Sequence, residues 1–404
     1  MHGDFFLRTG ALLGALALVG WLFVRLRQSV VPAFLLLGMA TRPWVPDSEL
    51  ISELGAVGVV LLLFFMGLEF STGALLRDRR AIVRAGLVDL LICFPVGLAA
   101  GFALGAGLEG ALILASGFYV SSSAIIAKSV IELRRAANPE TPLGLGILVF
   151  EDLLIALLLA VLSGAVLAHD ASMSMLVWRV GRAALFFVVI MLLAHLGRRL
   201  FDAAFSVRSD DVFLLMSAAV VILLSWDAVQ VGLSEALGGF LGGLVLSETR
   251  HKPRAERLFS PLQGVFGAVF FFAFGHSIRL DDLRDAWGAG LVLVVLAIAV
   301  KLGAGWIAGR REGLGRQARV ALGLMLLPRG EFTIILAGTA LAAGMTHVAA
   351  TLAILVVALS IVGTTAIRFT PEIAQRVIRS RTRRVTEMAG AADDSEGGGI
   401  TPPM

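Results

Sequence analysis

Long apolar runs, separated by short charged stretches, recur from one end of this 404-residue chain to the other. A helix needs about 20 apolar residues to cross the ~30 Å hydrocarbon core of a bilayer. The pattern predicts an all-α polytopic membrane protein, because no run alternates with the period of a strand. It predicts about thirteen transmembrane helices, at residues 8–25, 29–45, 50–69, 82–104, 110–131, 143–167, 175–197, 211–228, 231–247, 259–277, 286–308, 317–343 and 347–368.

Composition supports this interpretation. The chain is 58% hydrophobic and 16% charged, with a mean hydropathy of +0.89, far from the average of a soluble domain. We expect one transmembrane domain at residues 1–370, then a tail at 371–404 that is first basic and then disordered. The first apolar run has no small-residue cleavage site, so it is predicted to remain as a helix. Cys93 is the only cysteine, which excludes an intramolecular disulfide.

Lysine and arginine lie mostly in alternate loops, which predicts the orientation of the helices. One side of the predicted topology holds most of the 34 basic residues, including the Arg-rich segment before the tail. The positive-inside rule places that side in the cytoplasm, with the N-terminus outside and the C-terminus inside an inner (cell) membrane. The other side holds only Arg8, Arg42, Arg179, Arg182, Arg279 and Arg284.

An odd number of helices permits an inverted repeat, in which six helices, a linker helix and six further helices follow one another. A weak internal similarity fits such a repeat. Residues 64–70, at the end of the third predicted helix, resemble residues 272–278, at the end of the tenth. Third and tenth helices are equivalent positions in a six-helix repeat, so the similarity supports the predicted architecture.

Glu151 and Asp152 are adjacent carboxyl groups within a long apolar segment. Asp152 lies about nine residues from the predicted helix start, roughly 14 Å into the bilayer. Burying two carboxyl groups there is costly, which favours a functional role. The side chains point about 100° apart, so one of them can face a site directly. We expect a proton or a cation, K⁺ or Na⁺, to bind at Asp152 and Glu151, although a structural ion pair is the alternative.

Lys301 is the lone lysine of another apolar segment, too far from either helix end to reach the surface. A buried ammonium requires a partner, and Glu151 or Asp152 is the expected one. The pair can be purely structural, or it can also act as a switch.

Two predicted helices carry residues that favour a break in the middle of the membrane. In the fifth, Gly117 precedes the consecutive serines Ser121, Ser122 and Ser123, whose hydroxyl groups can bind a cation. In the twelfth, the sequence is Pro328-Arg329-Gly330-Glu331. Pro328 removes a backbone donor, Gly330 adds backbone freedom, and Arg329 with Glu331 brings paired charge to the break. Two broken helices crossing at the midplane would direct their partial charges at one site.

Four further polar residues are less specific. Asp89 is expected to pair with Arg84 or with a serine, and Glu69 to lie at the membrane surface as a helix-end charge. Glu235 and His276 are expected either to line a vestibule or to form interhelical hydrogen bonds.

The sequence argues against several other classes of protein. It contains neither a GxGxxG motif between a strand and a helix nor a Walker motif, so no nucleotide cofactor or direct use of ATP is predicted. No catalytic motif indicates an enzyme, and the basic residues follow the membrane loops rather than a nucleic-acid surface. A gated channel or a sensor on the same scaffold is the alternative to a transporter. A channel, however, needs a continuous polar pore, and these helices are nearly all apolar.

These motifs together resemble the cation:proton antiporter superfamily, on the branch of Kef-type potassium/proton and related sodium/proton antiporters. The similarity covers about residues 10–368 and is carried by residues 67–70, the serines 121–123 followed by Ala124, Phe150-Glu151-Asp152, Lys301 and residues 328–332. The resemblance implies a homodimer in which a core domain slides against a fixed domain. It also implies that Asp152 is the essential ion- and proton-binding carboxylate and that Lys301 pairs with residue 151.

The chain departs from the family pattern at two places. It has Glu151 before the aspartate, where sodium systems show Asp or Asn and many potassium systems Gln. It also has His276 where a methionine is usual. Relatives often carry a fused nucleotide-binding domain that is missing here, so a separate cytoplasmic regulatory subunit is expected. The resemblance implies exchange of a monovalent cation for H⁺, with K⁺ favoured over Na⁺.

Overall fold

The computed structural model describes residues 2–45, 49–69, 79–166, 173–231 and 233–370, and the predicted tail lies outside them. These residues form sixteen helices and no strand, which confirms the all-α prediction. The helices are α1 (His2–Arg25), α2 (Val30–Thr41), α3 (Glu49–Glu69), α4 (Arg79–Ala103), α5 (Gly107–Tyr119), α6 (Ser123–Glu132), α7 (Thr141–Val166), α8 (Met173–Leu196), α9 (Arg198–Ala204), α10 (Asp210–Gln230), α11 (Glu235–Ser247), α12 (Lys252–Ser277), α13 (Leu280–Arg311), α14 (Arg316–Met325), α15 (Glu331–Ala342) and α16 (Thr346–Arg368).

Each of the thirteen predicted segments coincides with helix. The structure has sixteen helices rather than thirteen for two reasons. Breaks divide the fifth predicted helix into α5 and α6 and the twelfth into α14 and α15. The short α9 follows α8 directly. By length and composition, eight described helices can cross a membrane, with α5 and α6 counted as one. The exact number of thirteen spans therefore stays a prediction.

The helices α12 and α13 begin before their predicted starts, at Lys252 and Leu280 rather than at 259 and 286. The first turns of both helices carry charged residues, which a search for apolar runs leaves out. These turns extend the helices beyond their apolar segments.

The helices pack as two groups. In the panel group, which consists of α1–α3 and α10–α12, α3 packs against α11 and α12, and α2 packs against α12. In the site group, which consists of α4–α7 and α13–α16, α4 packs against α5, α7 and α13, and α16 packs against α13 and α15. Between the groups, α8 contacts both α7 and α11. Each group thus combines helices from both halves of the chain, and α8 takes the place of the predicted linker helix.

Reciprocal contacts between glycines and backbone carbonyl groups support the inverted repeat. A methyl group on Gly67 of α3 would collide with the carbonyl oxygen of Phe240 on α11. A methyl group on Gly275 of α12 would collide in the same way with the carbonyl oxygen of Leu35 on α2. The predicted repeat relates α3 to α12 and α11 to α2, so the two contacts are equivalent. Gly67 and Gly275 also occupy matching positions in the similarity between residues 64–70 and 272–278.

Candidate functional site

The first break lies between α5 and α6, at residues 120–122. Val120 and Ser122 have extended backbone conformations, and the Ser122 hydroxyl caps α6 by accepting from the N–H of Ile125 at 3.3 Å. The helical bonds that Ser121 and Ser122 would donate to the preceding turn are lost. Instead, the Ser121 N–H donates to Oε2 of Glu151, and the Ser122 N–H donates to the carbonyl oxygen of Pro328 at 2.8 Å.

The carbonyl groups freed by this break are bound by the second broken helix. Thr333 Oγ1 donates to the carbonyl oxygen of Gly117 at 3.2 Å. Arg329 Nη2 donates to the carbonyl oxygen of Phe118 at 2.8 Å. Buried backbone groups that lack a partner cost free energy, so each of these bonds stabilises the interrupted conformation.

The second break spans residues 326–330, between α14 and α15. The Ser121 hydroxyl donates to the carbonyl oxygen of Leu326 at 3.0 Å. Gly330 is required by the crossing itself, because a Cβ atom there would collide with the Oγ and Cβ atoms of Ser122. From α16, the Ser360 hydroxyl donates to the carbonyl oxygen of Arg329. The two predicted broken helices therefore cross, and they bond to each other directly.

Arg329 and Glu331 do not form the charge pair that their spacing suggests. The fully buried Arg329 binds carbonyl oxygens, including those of Phe118 and Leu326, and within the described residues it takes part in no ion pair. Glu331 instead accepts from the Ser122 hydroxyl at 3.0 Å and from the N–H of Ala124. It thus places a carboxylate at the N-terminus of α6, where the helix dipole favours negative charge.

Lys301 forms a three-membered ion cluster with two carboxylates. Its Nζ atom lies 2.8 Å from Oε1 of Glu151 and 2.8 Å from Oδ2 of Asp89. All three side chains are buried, and Nζ also lies 5.3 Å from the ring centre of Tyr119. The expected pairing with Glu151 is present.

The prediction that Asp89 pairs with Arg84 or with a serine is wrong. Arg84 instead forms an ion pair with Glu312, at 2.9 Å, while Asp89 faces Lys301 across the interface between α4 and α13. A carboxyl group in the apolar fourth helix was the available signal, since such a group requires a buried partner. Its closeness in sequence to Arg84 gave no reliable guide to its partner.

Asp152 is half-buried, unlike the fully buried Glu151 beside it. Consecutive residues of a helix are rotated by about 100° around its axis. Glu151 therefore binds Lys301 and Ser121, while Asp152 lies on a different face of α7. Ser123 is also half-buried. Its Oγ atom, however, is itself buried and has no hydrogen-bond partner among the described residues.

Glu235 and His276 line a cavity of about 660 Å³ in the panel group. The cavity lies between the C-terminal ends of α2 and α12 and the N-terminal ends of α3 and α11, and Arg42 and Ser52 also border it. Arg42 donates from Nη1 to the carbonyl oxygen of His276. Both residues thus border a cavity, at the end of the helices that the basic-residue pattern predicts to be exterior, and their role in a vestibule stays a prediction.

Comparisons with known proteins give one consistent result. Residues 13–370 match the family model described as the transmembrane part of the sodium/hydrogen exchanger. The chain is 38% identical to the K⁺/H⁺ antiporter subunit KhtU of Bacillus subtilis, over 83% of this chain and 86% of that protein. It is 32% identical to the ammonium/H⁺ antiporter subunit AmhT of Alkalihalophilus pseudofirmus, over 95% and 98%.

The fold has a counterpart among solved structures. The sodium proton antiporter MjNhaP1 from Methanocaldococcus jannaschii matches with a TM-score of 0.66, covering 92% of this chain and 99% of that one. At 16% sequence identity, this likeness shows a shared fold. It agrees with the arrangement of helices described above.

Proposed function

Because this chain belongs to the sodium/hydrogen exchanger family, whose members are transporters and not enzymes, we propose that it exchanges K⁺ or Na⁺ for H⁺, with K⁺ favoured. The chain is a multi-pass membrane protein of the cation:proton antiporter superfamily. Exchange is driven by the ion gradients alone, since the sequence has no nucleotide-binding motif.

An excess of carboxyl groups at the crossing carries the proposal. Among the described residues, the crossing region contains four carboxyl groups, three of them buried, and two cationic side chains. The carboxyl groups are those of Asp89, Glu151, Asp152 and Glu331, and the cationic side chains are those of Lys301 and Arg329. With all six ionised, the region has a formal charge of −2. Uncompensated charge in an apolar interior is costly. A proton or a monovalent cation can relieve this cost, and one carboxylate accepts either but not both.

Asp152 is the carboxylate that exchanges its occupant. Glu331 is held by the Ser122 hydroxyl and Asp89 by Lys301, whereas Asp152 lies beside Glu151 on a half-buried face of α7. Ser121, Ser122 and Ser123 lie at the adjoining break, and the Ser123 hydroxyl supplies a neutral oxygen to the transported cation. Lys301, Arg329, Pro328, Gly330 and Glu331 hold the breaks in place around it.

The movement that we propose is a displacement of the site group against the panel group. Every residue assigned to ion binding lies on α5–α7 or α13–α15, and none of them lies on the panel helices. A rigid displacement of the site group would therefore carry the complete site from one side of the membrane to the other. The panel group would provide the contact surface of a homodimer, as the family resemblance implies.

The protein is placed in the inner (cell) membrane with its N-terminus outside and its C-terminus in the cytoplasm. The distribution of basic residues supports this orientation. Exposed tryptophans mark the membrane–water interfaces on both sides, so they support the ends of the predicted spans rather than their direction. Four exposed tryptophans fall near the predicted outer surface, namely Trp44, Trp178, Trp226 and Trp287.

A separate regulatory subunit is supported by the names of two relatives, each of which is called the subunit of an antiporter. Their named ions differ, K⁺ in one and ammonium in the other. The KhtU relative has the higher identity, which supports K⁺ as the favoured cation here.

Purified protein in proteoliposomes with an internal pH dye tests the proposal. Addition of K⁺, Na⁺, ammonium or Li⁺ in turn should move protons, with the largest response to K⁺ and no requirement for ATP. A gated channel would instead conduct K⁺ as a current without moving protons in exchange. Cation flux with no coupled proton movement would contradict the antiport proposal.

A further inference from the structure

Asp89 gives Lys301 a second carboxylate partner, and the two partners have different surroundings. The other oxygen of Asp89 accepts from the thiol of Cys93, one turn along α4, at 3.4 Å. Its bonds therefore run to α4 and α13, which are continuous helices. Glu151 in addition accepts from the N–H of Ser121, within the first break, and its Oε1 atom lies 3.2 Å from the Ser121 hydroxyl oxygen.

Glu151 is thus connected to the substrate site, while Asp89 is not. Glu151 precedes Asp152 in sequence and binds the break that contains the serine hydroxyl groups. The hydrogen bonds described for the Asp89 carboxylate run to Lys301 and to Cys93 of its own helix. One ammonium group is thus shared between a carboxylate that is bonded to the break and a neighbouring carboxylate that is bonded to α4.

We propose that Asp89 is a positioning residue, which holds Lys301 in place while Glu151 turns from Lys301 towards the transported cation. If Glu151 were the only partner, its release would leave a buried ammonium group uncompensated, which is strongly unfavourable. With Asp89 bound at 2.8 Å, Lys301 stays compensated, and the contact between Lys301 and Glu151 becomes exchangeable. The inference rests on the proposed function, and it names a residue that tunes cation affinity.

A purely structural role predicts something different. In that case the bond between Asp89 and Lys301 only joins α4 to α13, and its loss lowers thermal stability without changing cation affinity. The positioning role predicts a change in the apparent KM for K⁺, because cation binding must then break the only ion pair of Lys301.

The test measures proton movement against K⁺ concentration in proteoliposomes. Asp89→Asn should raise the KM for K⁺ by about tenfold, equivalent to ~1.4 kcal/mol, with a smaller change in maximal rate. Asp89→Glu keeps a carboxylate next to Lys301 and should restore a KM close to that of the wild type. Cys93→Ser keeps a donor to Asp89 and serves as the matched control.

Two results would overturn the proposal. One is an unchanged KM in folded Asp89→Asn. The other is that Asp89→Asn raises the KM by the same factor in the Glu151→Gln variant as in the wild type. Asp89 would then act by its charge alone. If the double variant is not recovered as folded protein, the KM of Asp89→Asn still decides between positioning and structural roles. Lack of K⁺-driven proton movement in the wild type would contradict the proposed function instead.

Discussion

Ser122 and Pro328 join the two interrupted helices, since the N–H of Ser122 donates to the carbonyl oxygen of Pro328 at 2.8 Å. Each break supplies the partner that the other lacks. An interrupted helix exposes polar backbone groups that hydrocarbon cannot bind. Neither break is therefore stable alone, and damage to one should disturb the other.

Gly330→Ala tests the closeness of the crossing. The added methyl group would collide with the Ser122 side chain, and overpacking typically costs about 1–3 kcal/mol. We expect a lower thermal unfolding temperature and little or no cation-driven proton movement. Gly338→Ala, on the helix α15 that follows the break, is the matched control, because its methyl group would lie 4.0 Å from the ring of Phe274. Equal behaviour of the two variants would show that the crossing tolerates separation.

Ser122→Ala removes a hydroxyl that caps α6 and donates to Glu331. Loss of a cap costs about 0.5–2 kcal/mol, and Glu331 would lose one buried donor. Thermal unfolding should show destabilisation, together with slower exchange. Ser129→Ala is the control, because Ser129 donates only to the carbonyl oxygen of Ile125 within α6. A larger effect at Ser129 would be evidence against the assigned role of Ser122.

Lys301→Gln leaves Asp89 and Glu151 without their shared ammonium group. Breaking a buried ion pair typically costs about 3–5 kcal/mol, so the unfolding temperature should fall clearly. Adding Glu151→Gln removes one uncompensated carboxylate and should restore part of the loss. Non-additivity of the two substitutions in thermal unfolding measures their coupling. Strict additivity would mean that the two residues do not interact.

Asp152→Asn should abolish exchange while the protein remains folded and keeps its oligomeric state. The amide preserves the volume of the side chain, but it can neither take up a proton nor balance a cation. Size-exclusion chromatography and the proteoliposome assay separate these two properties. Asp227→Asn, at an exposed position of α10, is the control and should exchange normally. Near-normal exchange in Asp152→Asn would refute the assigned mechanism.

Local sequence signals were sufficient to predict both breaks. Pro328 and Gly330 alter the backbone wherever the chain places them, and three consecutive serines favour capping over continued helix. The requirement of a buried ammonium group for a partner left Glu151 or Asp152 as the partner of Lys301, and the family resemblance indicated Glu151. Each of these predictions depends on the backbone geometry or the buried charge of a single segment.

The missed relationships depend on how distant segments meet. Asp89 and Lys301 are 212 positions apart, and only the packing of α4 on α13 brings them together. Arg329 lies two positions from Glu331, yet the carbonyl groups freed by the first break compete for its guanidinium group. Sequence proximity suggested a charge pair, whereas the crossing required a donor to backbone oxygens.

The reciprocal contacts of Gly67 and Gly275 imply that one architecture meets both sides of the membrane. In the predicted inverted repeat, the two halves of the chain have opposite orientations in the membrane. A route by which an ion reaches the site through one half therefore has an equivalent route through the other half, from the opposite side. If each half adopted the present conformation of its counterpart, the same residues would enclose the site from the other side. The opposite-facing state would then require no contact of a new kind, only an exchange of conformations between two halves that the fold already relates.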